Sequence, residues 1–169
     1  TVEFVDIAGL IAGAHKGEGL GNKFLSHIRE TDAICHVVRT FGDSEIIREG
    51  SVNPKSDFET IKTELELADL ETVEKHKTKK NASEDGILPL LSRKPMLVVL
   101  NVSEDELKSA NEVEQKYALE FGLQKDQVIA ICAKIEAELA GLSGEDQKVY
   151  LNELGQTRSG LERLINKAF

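Results

Sequence analysis

Apolar positions along this chain fall into two kinds of run that take turns. Short apolar stretches at Phe4-Val5, Ala33 to Val38, Met96 to Leu100 and Val128 to Cys132 read as strands, the third an unbroken run suited to the interior of a parallel sheet. Between them, apolar residues recur at helical spacing. Phe24, Leu25 and Ile28 share a face within Asn22 to Glu30, and Phe58, Ile61, Leu65, Ala68 and Val73 continue to about His76 behind a Ser56–Glu59 capping box. A second box, Ser103–Glu106, opens a helix carrying Leu107, Ala110, Val113, Tyr117 and Phe121, with Gly122 as its stop; Ser143 to Leu154 and Ser159 to Phe169 complete the helices. Alternation of this kind predicts an α/β fold, a mostly parallel sheet flanked by helices. Phe41 to Pro54 reads as a loop and the polar Lys75 to Gly86 as a linker or exposed loop, and no internal repeat is present.

Composition narrows the function classes. A chain of 169 residues, 40% hydrophobic and 30% charged, can bury one ordinary core. Its net charge of -9 argues against broad affinity for nucleic acid or anionic membranes, and no apolar run is long enough to span a bilayer. Cys35 and Cys132 lie in apolar runs and read as buried thiols of a reducing compartment, the cytoplasm. The chain enters an apparent strand at Thr1 and stops at Phe169 while the pattern Leu161, Leu164, Ile165, Ala168 is still running, so both ends read as cut.

Candidate chemistry gathers where predicted strands end. Asp6 closes the first and passes into Ile7-Ala8-Gly9 and a loop holding Gly13, Gly17, Gly19 and Gly21. Open α/β sheets bind ligands at this edge, where an Asp can orient Mg²⁺ and a following Gly N–H can face a terminal phosphate. A buried strand with an N-capping Asp before an ordinary loop is the plain alternative. Asn101 and Glu104, three residues apart where a helix begins, suit the edge of a heterocyclic base, because Asn both donates and accepts and Glu accepts two N–H donors. Glu104 is equally what a first helical turn favours. Lys134 could lay its stem across a base plane or be a solvated charge. His15 reads as a loop residue, His36 as a core residue, and His27 and His76 as helix-surface residues. No zinc spacing and no nucleophile motif appears.

Asp6 to Ile34, D-I-A-G-L-I-A-G-A-H-K-G-E-G-L-G-N-K-F-L-S-H-I-R-E-T-D-A-I, resembles switch II of the Obg-like ATPases, the YchF family of P-loop NTPases. S-V-N-P at Ser51, T-E-L-E-L-A-D-L-E-T at Thr63, N-V-S-E at Asn101 and C-A-K-I-E-A-E-L at Cys132 follow in family order. The resemblance implies an incomplete P-loop NTPase G domain, its first part at residues 1–74, a linker at 75–94 standing where the family has a helical insertion, and a base-recognition part at 95–169. It implies that Asp6 and Gly9 face Mg²⁺ and the γ-phosphate, and that Leu10 stands where many relatives carry the water-orienting Gln. Asn101, Val102 and Glu104 would replace the N-K-x-D base-reading motif, favouring ATP over GTP, while Cys132, Ala133 and Lys134 would line the base. The implied partners are the ribosome or a ribosomal subunit, and RNA. The alternatives are a non-catalytic interaction module and a GTP-specific switch protein. The G-x-x-x-x-G-K-[ST] loop, the Thr-bearing switch I and a family His before Ser51 are absent. A fragment of a longer parent is therefore expected, one that should not form a stable domain by itself because the sheet's central strand is missing.

Overall fold

The structure, a computed structural model, describes residues 2–7, 20–42, 52–78 and 88–168. These contain helices α1 (Leu20–Glu30), α2 (Pro54–Thr78), α3 (Glu104–Leu107), α4 (Ala110–Phe121), α5 (Ala133–Ala140), α6 (Gly144–Glu153) and α7 (Gly160–Ala168), with strands β1 (Ile34–Arg39), β2 (Met96–Asn101) and β3 (Val128–Ile131). The sheet runs in the order β1-β2-β3. β2 and β3 are parallel from Val98↔Val128 to Asn101↔Ile131. Ile34 N–H donates to Pro95 O and Thr40 N–H to Asn101 O, so partner numbers rise together and β1 is parallel as well. The α/β class with a parallel sheet flanked by helices is what the alternating pattern predicts.

The chain divides into two compact units: Thr1–Glu3, Cys35–Lys55 and Leu97–Phe169 form one, Phe4–Ile34 and Ser56–Met96 the other. In the second, α1 presents Leu25 and Ile28, both buried, to Leu65 and Ala68 of α2 and to Leu91, with Phe24, Ile61, Ile34 and Met96 packed around them. Each fully buried Leu contributes about 2 kcal/mol. Lys94 Nζ donates to Thr31 O and Arg29 O, satisfying carbonyls just past and at the end of α1. The Asp69 carboxylate, buried on α2, accepts the N–H groups of Leu91 (2.7 Å) and Ser92 (2.8 Å), which fixes a short 3₁₀ turn at Leu91–Arg93 within the stretch expected to be linker. A buried carboxylate is tolerable there because both oxygens are bonded.

In the first unit all four β3 residues are buried, with Val99, Ile129, Ile131 and Leu164 forming one core cluster. Among the described residues β3 is a terminal strand, yet its outward backbone groups are all engaged. Val128 N–H donates to Lys125 O, and Val128 O accepts from Lys167 Nζ at 2.7 Å. Ala130 N–H donates to Glu114 Oε1 at 3.0 Å, and Ala130 O accepts from Arg163 Nη1 at 3.3 Å. Glu114 Oε1 and Arg163 Nη2 are 2.5 Å apart, a carboxylate 5% exposed against a guanidinium 27% exposed. Gly160 opens α7 pressed against the sheet: a Cβ there would stand 2.8 Å from Ile131 Cγ2.

Four expectations differ from this architecture. Phe4 and Val5 are not a strand: residues 2–7 form no regular element and both side chains are exposed. Two apolar residues carry too little periodicity to define a strand without a partner, and the sheet offers none to them. β1 is not fully buried; Cys35 and Val37 are exposed while Val38 on the opposite face is buried, so Cys35 is not the buried thiol expected, although Cys132 is. α2 begins at Pro54, ahead of the Ser56–Glu59 box, because proline's fixed φ suits the first helical position. The single helix expected after Ser103 breaks at Lys108–Ser109 into α3 and α4, and α4 ends at Gly122 (φ 68°) with Gly122 N–H to Leu119 O and Leu123 N–H to Ala118 O, a Schellman motif.

Candidate functional site

β2 ends in Asn101, and the two residues after it finish the ladder and cap a helix in turn. Val102 N–H donates to Ile131 O at 2.9 Å, extending the ladder by one step, and Val102 itself is wholly buried. Ser103 then caps α3, its side chain accepting from Glu106 N–H while Glu106 Oε2 accepts from Ser103 N–H at 3.0 Å. Glu104 is thereby placed as the first residue of α3, exposed, beside the end of β2.

β3 ends in the same manner. Cys132, buried, gives its backbone to the N-cap of α5, and Ala133 and Lys134 are the first, exposed residues of that helix. Ala133 N–H is one of the donors a helix start leaves without an internal partner. Asn101 Oδ1 accepts it at 3.2 Å, so the end of β2 caps the helix that follows β3. Lys134 Nζ meets Glu104 Oε1 at 2.6 Å across the same gap, with both side chains largely exposed. The hydrogen bond that Lys134 donates to Glu104 raises its ammonium above the ordinary lysine range. Asn101, Glu104, Ala133 and Lys134 thus form one cluster at the carboxyl ends of adjacent parallel strands. Val102 and Cys132 are buried in the core rather than exposed beside them.

Two residues not singled out as site residues complete the cluster. Thr40, just past β1, donates its N–H to Asn101 O at 3.1 Å, and its Oγ1 lies 2.9 Å from Glu106 Oε2 and 3.3 Å from Asn101 O. The capping box betrays Glu106 in the sequence; nothing local betrays Thr40, whose partners are more than sixty residues away. Next to it the Arg39 guanidinium carbon sits 4.7 Å from the Phe41 ring centroid, while its Nε and Nη2 are buried with no hydrogen-bond partner among the described residues.

Asp6 is exposed and belongs to the other unit. Gly9, Leu10 and the loop glycines Gly13, Gly17 and Gly19 lie outside the described residues, while Gly21, expected in the loop, falls in the first turn of α1. Among the described residues, no group of three or more His, Cys, Asp or Glu side chains is placed to hold a metal ion, and no helix is long and apolar enough to cross a membrane.

Against known proteins, residues 1–102 match the profile of a family described as "50S ribosome-binding GTPase". Over 209 aligned residues the chain is 44% identical to "Ribosome-binding ATPase YchF" of Bacillus subtilis (strain 168), covering 99% of this chain and 57% of that protein. It is 37% identical to the protein of the same name in Escherichia coli O157:H7, covering 100% of this chain and 57% of the relative. The chain thus spans a little over half the length of these curated relatives. A solved structure titled "Structure of the Schizosaccharomyces pombe YchF GTPase" superposes with a TM-score of 0.69 at 28% identity, over 93% of this chain and 55% of that one.

Proposed function

The chain belongs to the 50S ribosome-binding GTPase family, in its YchF branch, and on that premise we propose that it carries the base-recognition half of a ribosome-binding protein that hydrolyses ATP in preference to GTP. The observation that carries the nucleotide choice is the pairing at the strand ends. With Oδ1 held by Ala133 N–H, Asn101 would offer its Nδ2 donors to an acceptor such as purine N7. With Oε1 held by Lys134, Glu104 keeps one oxygen for an incoming N–H. Adenine presents a single exocyclic amine to such an acceptor. Guanine presents N1–H and an amine together and calls for both oxygens. The Lys134 stem would lie against the base, with Ala133 beside it and Val102 and Cys132 shaping the floor from the core.

The phosphate end follows the family. Asp6 would address Mg²⁺, Gly9 N–H the γ-phosphate, and Leu10 would fill the place of the water-orienting Gln without orienting water itself. One exposed carboxylate fits a Mg²⁺ that arrives chelated by phosphates and keeps most of its waters, rather than a resident ion in a protein cage. When bound, the ion would neutralise charge developing on the phosphoryl oxygens. Ribosome binding, contact with RNA, cytoplasmic location and the division at residues 1–74, 75–94 and 95–169 belong to the same reading.

The test is isothermal titration of the full-length protein with ATP and GTP, alongside Glu104→Asp. Tighter ATP binding is expected, with the shorter carboxylate in Glu104→Asp, drawn back from Lys134, shifting the ratio toward GTP. A clear preference for GTP defeats the reading. That second outcome is the one the names "GTPase" in the family description and in the fission-yeast structure favour.

A further inference from the structure

Resting on the base-site reading above, we propose that Thr40 and Glu106 act as a positioning clamp that sets nucleotide selectivity from outside the base pocket. A capping box is ordinarily a local device: one Ser, one Glu, two backbone N–H groups. Here the same carboxylate oxygen, Glu106 Oε2, receives Ser103 N–H at 3.0 Å, Ser103 Oγ at 3.3 Å and, from the residue that follows β1, Thr40 Oγ1 at 2.9 Å. Thr40 also grips the Asn101 carbonyl through its N–H at 3.1 Å. Its hydroxyl has a single proton, and the shorter distance with a charged acceptor assigns that proton to Glu106 rather than to Asn101 O.

The consequence lies in what stands between these two grips. Asn101 is held at its carbonyl by Thr40, and Glu104 is held in its direction by the cap that Glu106 closes. The two residues proposed to read the base are therefore positioned relative to each other through Thr40 at the end of β1, not only through the two residues that join them. A base-reading Glu has to present one oxygen at hydrogen-bond distance, and displacement of half an ångström is enough to lose orientation. Neither clamp residue shares a hydrogen bond with the Glu104–Lys134 pair, so their influence is positional.

Four substitutions in the full-length protein test this, read by ATP and GTP titration, melting temperature and hydrogen exchange at Ser103. Thr40→Val removes the hydroxyl and keeps the shape; Thr40→Ser restores it. Glu106→Ala removes all three bonds, and Glu106→Gln retains an acceptor for part of them. Thr40→Val and Glu106→Ala are expected to weaken ATP binding about three- to tenfold, with a smaller loss for GTP, so that the ATP-to-GTP ratio falls. Thr40→Ser should return the ratio to the wild-type value, Glu106→Gln should fall between, and Ser103 exchange should quicken in Thr40→Val. An unchanged ratio in Thr40→Val overturns the proposal. So does an equal loss for both nucleotides that tracks the melting temperature, since that is the signature of a merely structural bond. A wild-type protein that binds neither nucleotide removes the base site itself, and quickened Ser103 exchange in Thr40→Val would then mark the contact as structural.

Discussion

Replacing Glu114 by Ala is the sharpest probe of how the first unit is held together. The change deletes a carboxylate 5% exposed, whose Oε1 takes both Arg163 Nη2 and Ala130 N–H. Two costs follow. Ala130 N–H becomes a buried donor without a partner, worth about 1–3 kcal/mol. Among the described residues Arg163 keeps only its long bond to Ala130 O and is left as a largely buried cation, and breaking such a pair from one side costs about 3–5 kcal/mol in all. Because Arg163 retains 27% of its side-chain exposure, water relieves part of the loss, and the lower end of that range, about 3 kcal/mol, is expected. Native-state hydrogen exchange reads this directly at Ala130, where about 3 kcal/mol corresponds to a roughly hundredfold faster exchange of the β3 amides. Glu114→Gln keeps an acceptor for Ala130 and should lose much less. Acceleration below about fivefold in Glu114→Ala would mean that the pair behaves like an ordinary surface contact, and the account of β3 would fail.

Three further outcomes are expected. Gly160→Ala should lower the melting temperature: its Cβ would come within 2.8 Å of Ile131 Cγ2 and 2.9 Å of Glu136 Oε1, and overpacking of about 1–3 kcal/mol outweighs the roughly 0.5–1 kcal/mol that Ala gains in a helix; a stabilised variant would show that α7 can shift freely. Arg39→Met should leave the denaturation midpoint unchanged or raise it, because it removes buried donors that have no partner among the described residues; a clear fall would reveal a bond that the guanidinium makes. Lys134, held by Glu104 above its ordinary 10.5, contributes stability below that value and loses it only as pH rises through the higher folded value, so ¹³Cε titration by NMR should move toward 10.5 in Glu104→Gln; an identical titration in both proteins would deny the ion pair.

How far the chain could be read in advance depended on whether a residue's neighbours were near in sequence. Val98 to Leu100 and Val128 to Ile131 are buried on both faces, so unbroken apolar runs announced β2 and β3. Leu25 and Ile28 announced α1 through spacing alone. β1 carries an equally apolar run, but burial on one face and exposure on the other look alike in composition, which is why Cys35 misled. Ser109 breaks a helix whose periodicity continues across the break, and no glycine or proline marks the spot. At the site, Asn101, Glu104 and Lys134 were legible as strand-end residues, and the structure brings these three together with Ala133. Thr40, Glu114 and Asp69 were not, since each owes its role to a partner at least sixteen residues away.

The dressing of β3 by Glu114, Arg163 and Lys167 has an outcome for the molecule's company as well as for its own stability. A terminal strand with unengaged amides and carbonyls is a template onto which a foreign chain can zip. On this side the template is erased, because each outward group of Val128 and Ala130 already has a partner. Lateral self-assembly through β3 would have to displace two cations and a carboxylate at once, so mutations that strip them should make the protein more prone to accrete through that edge.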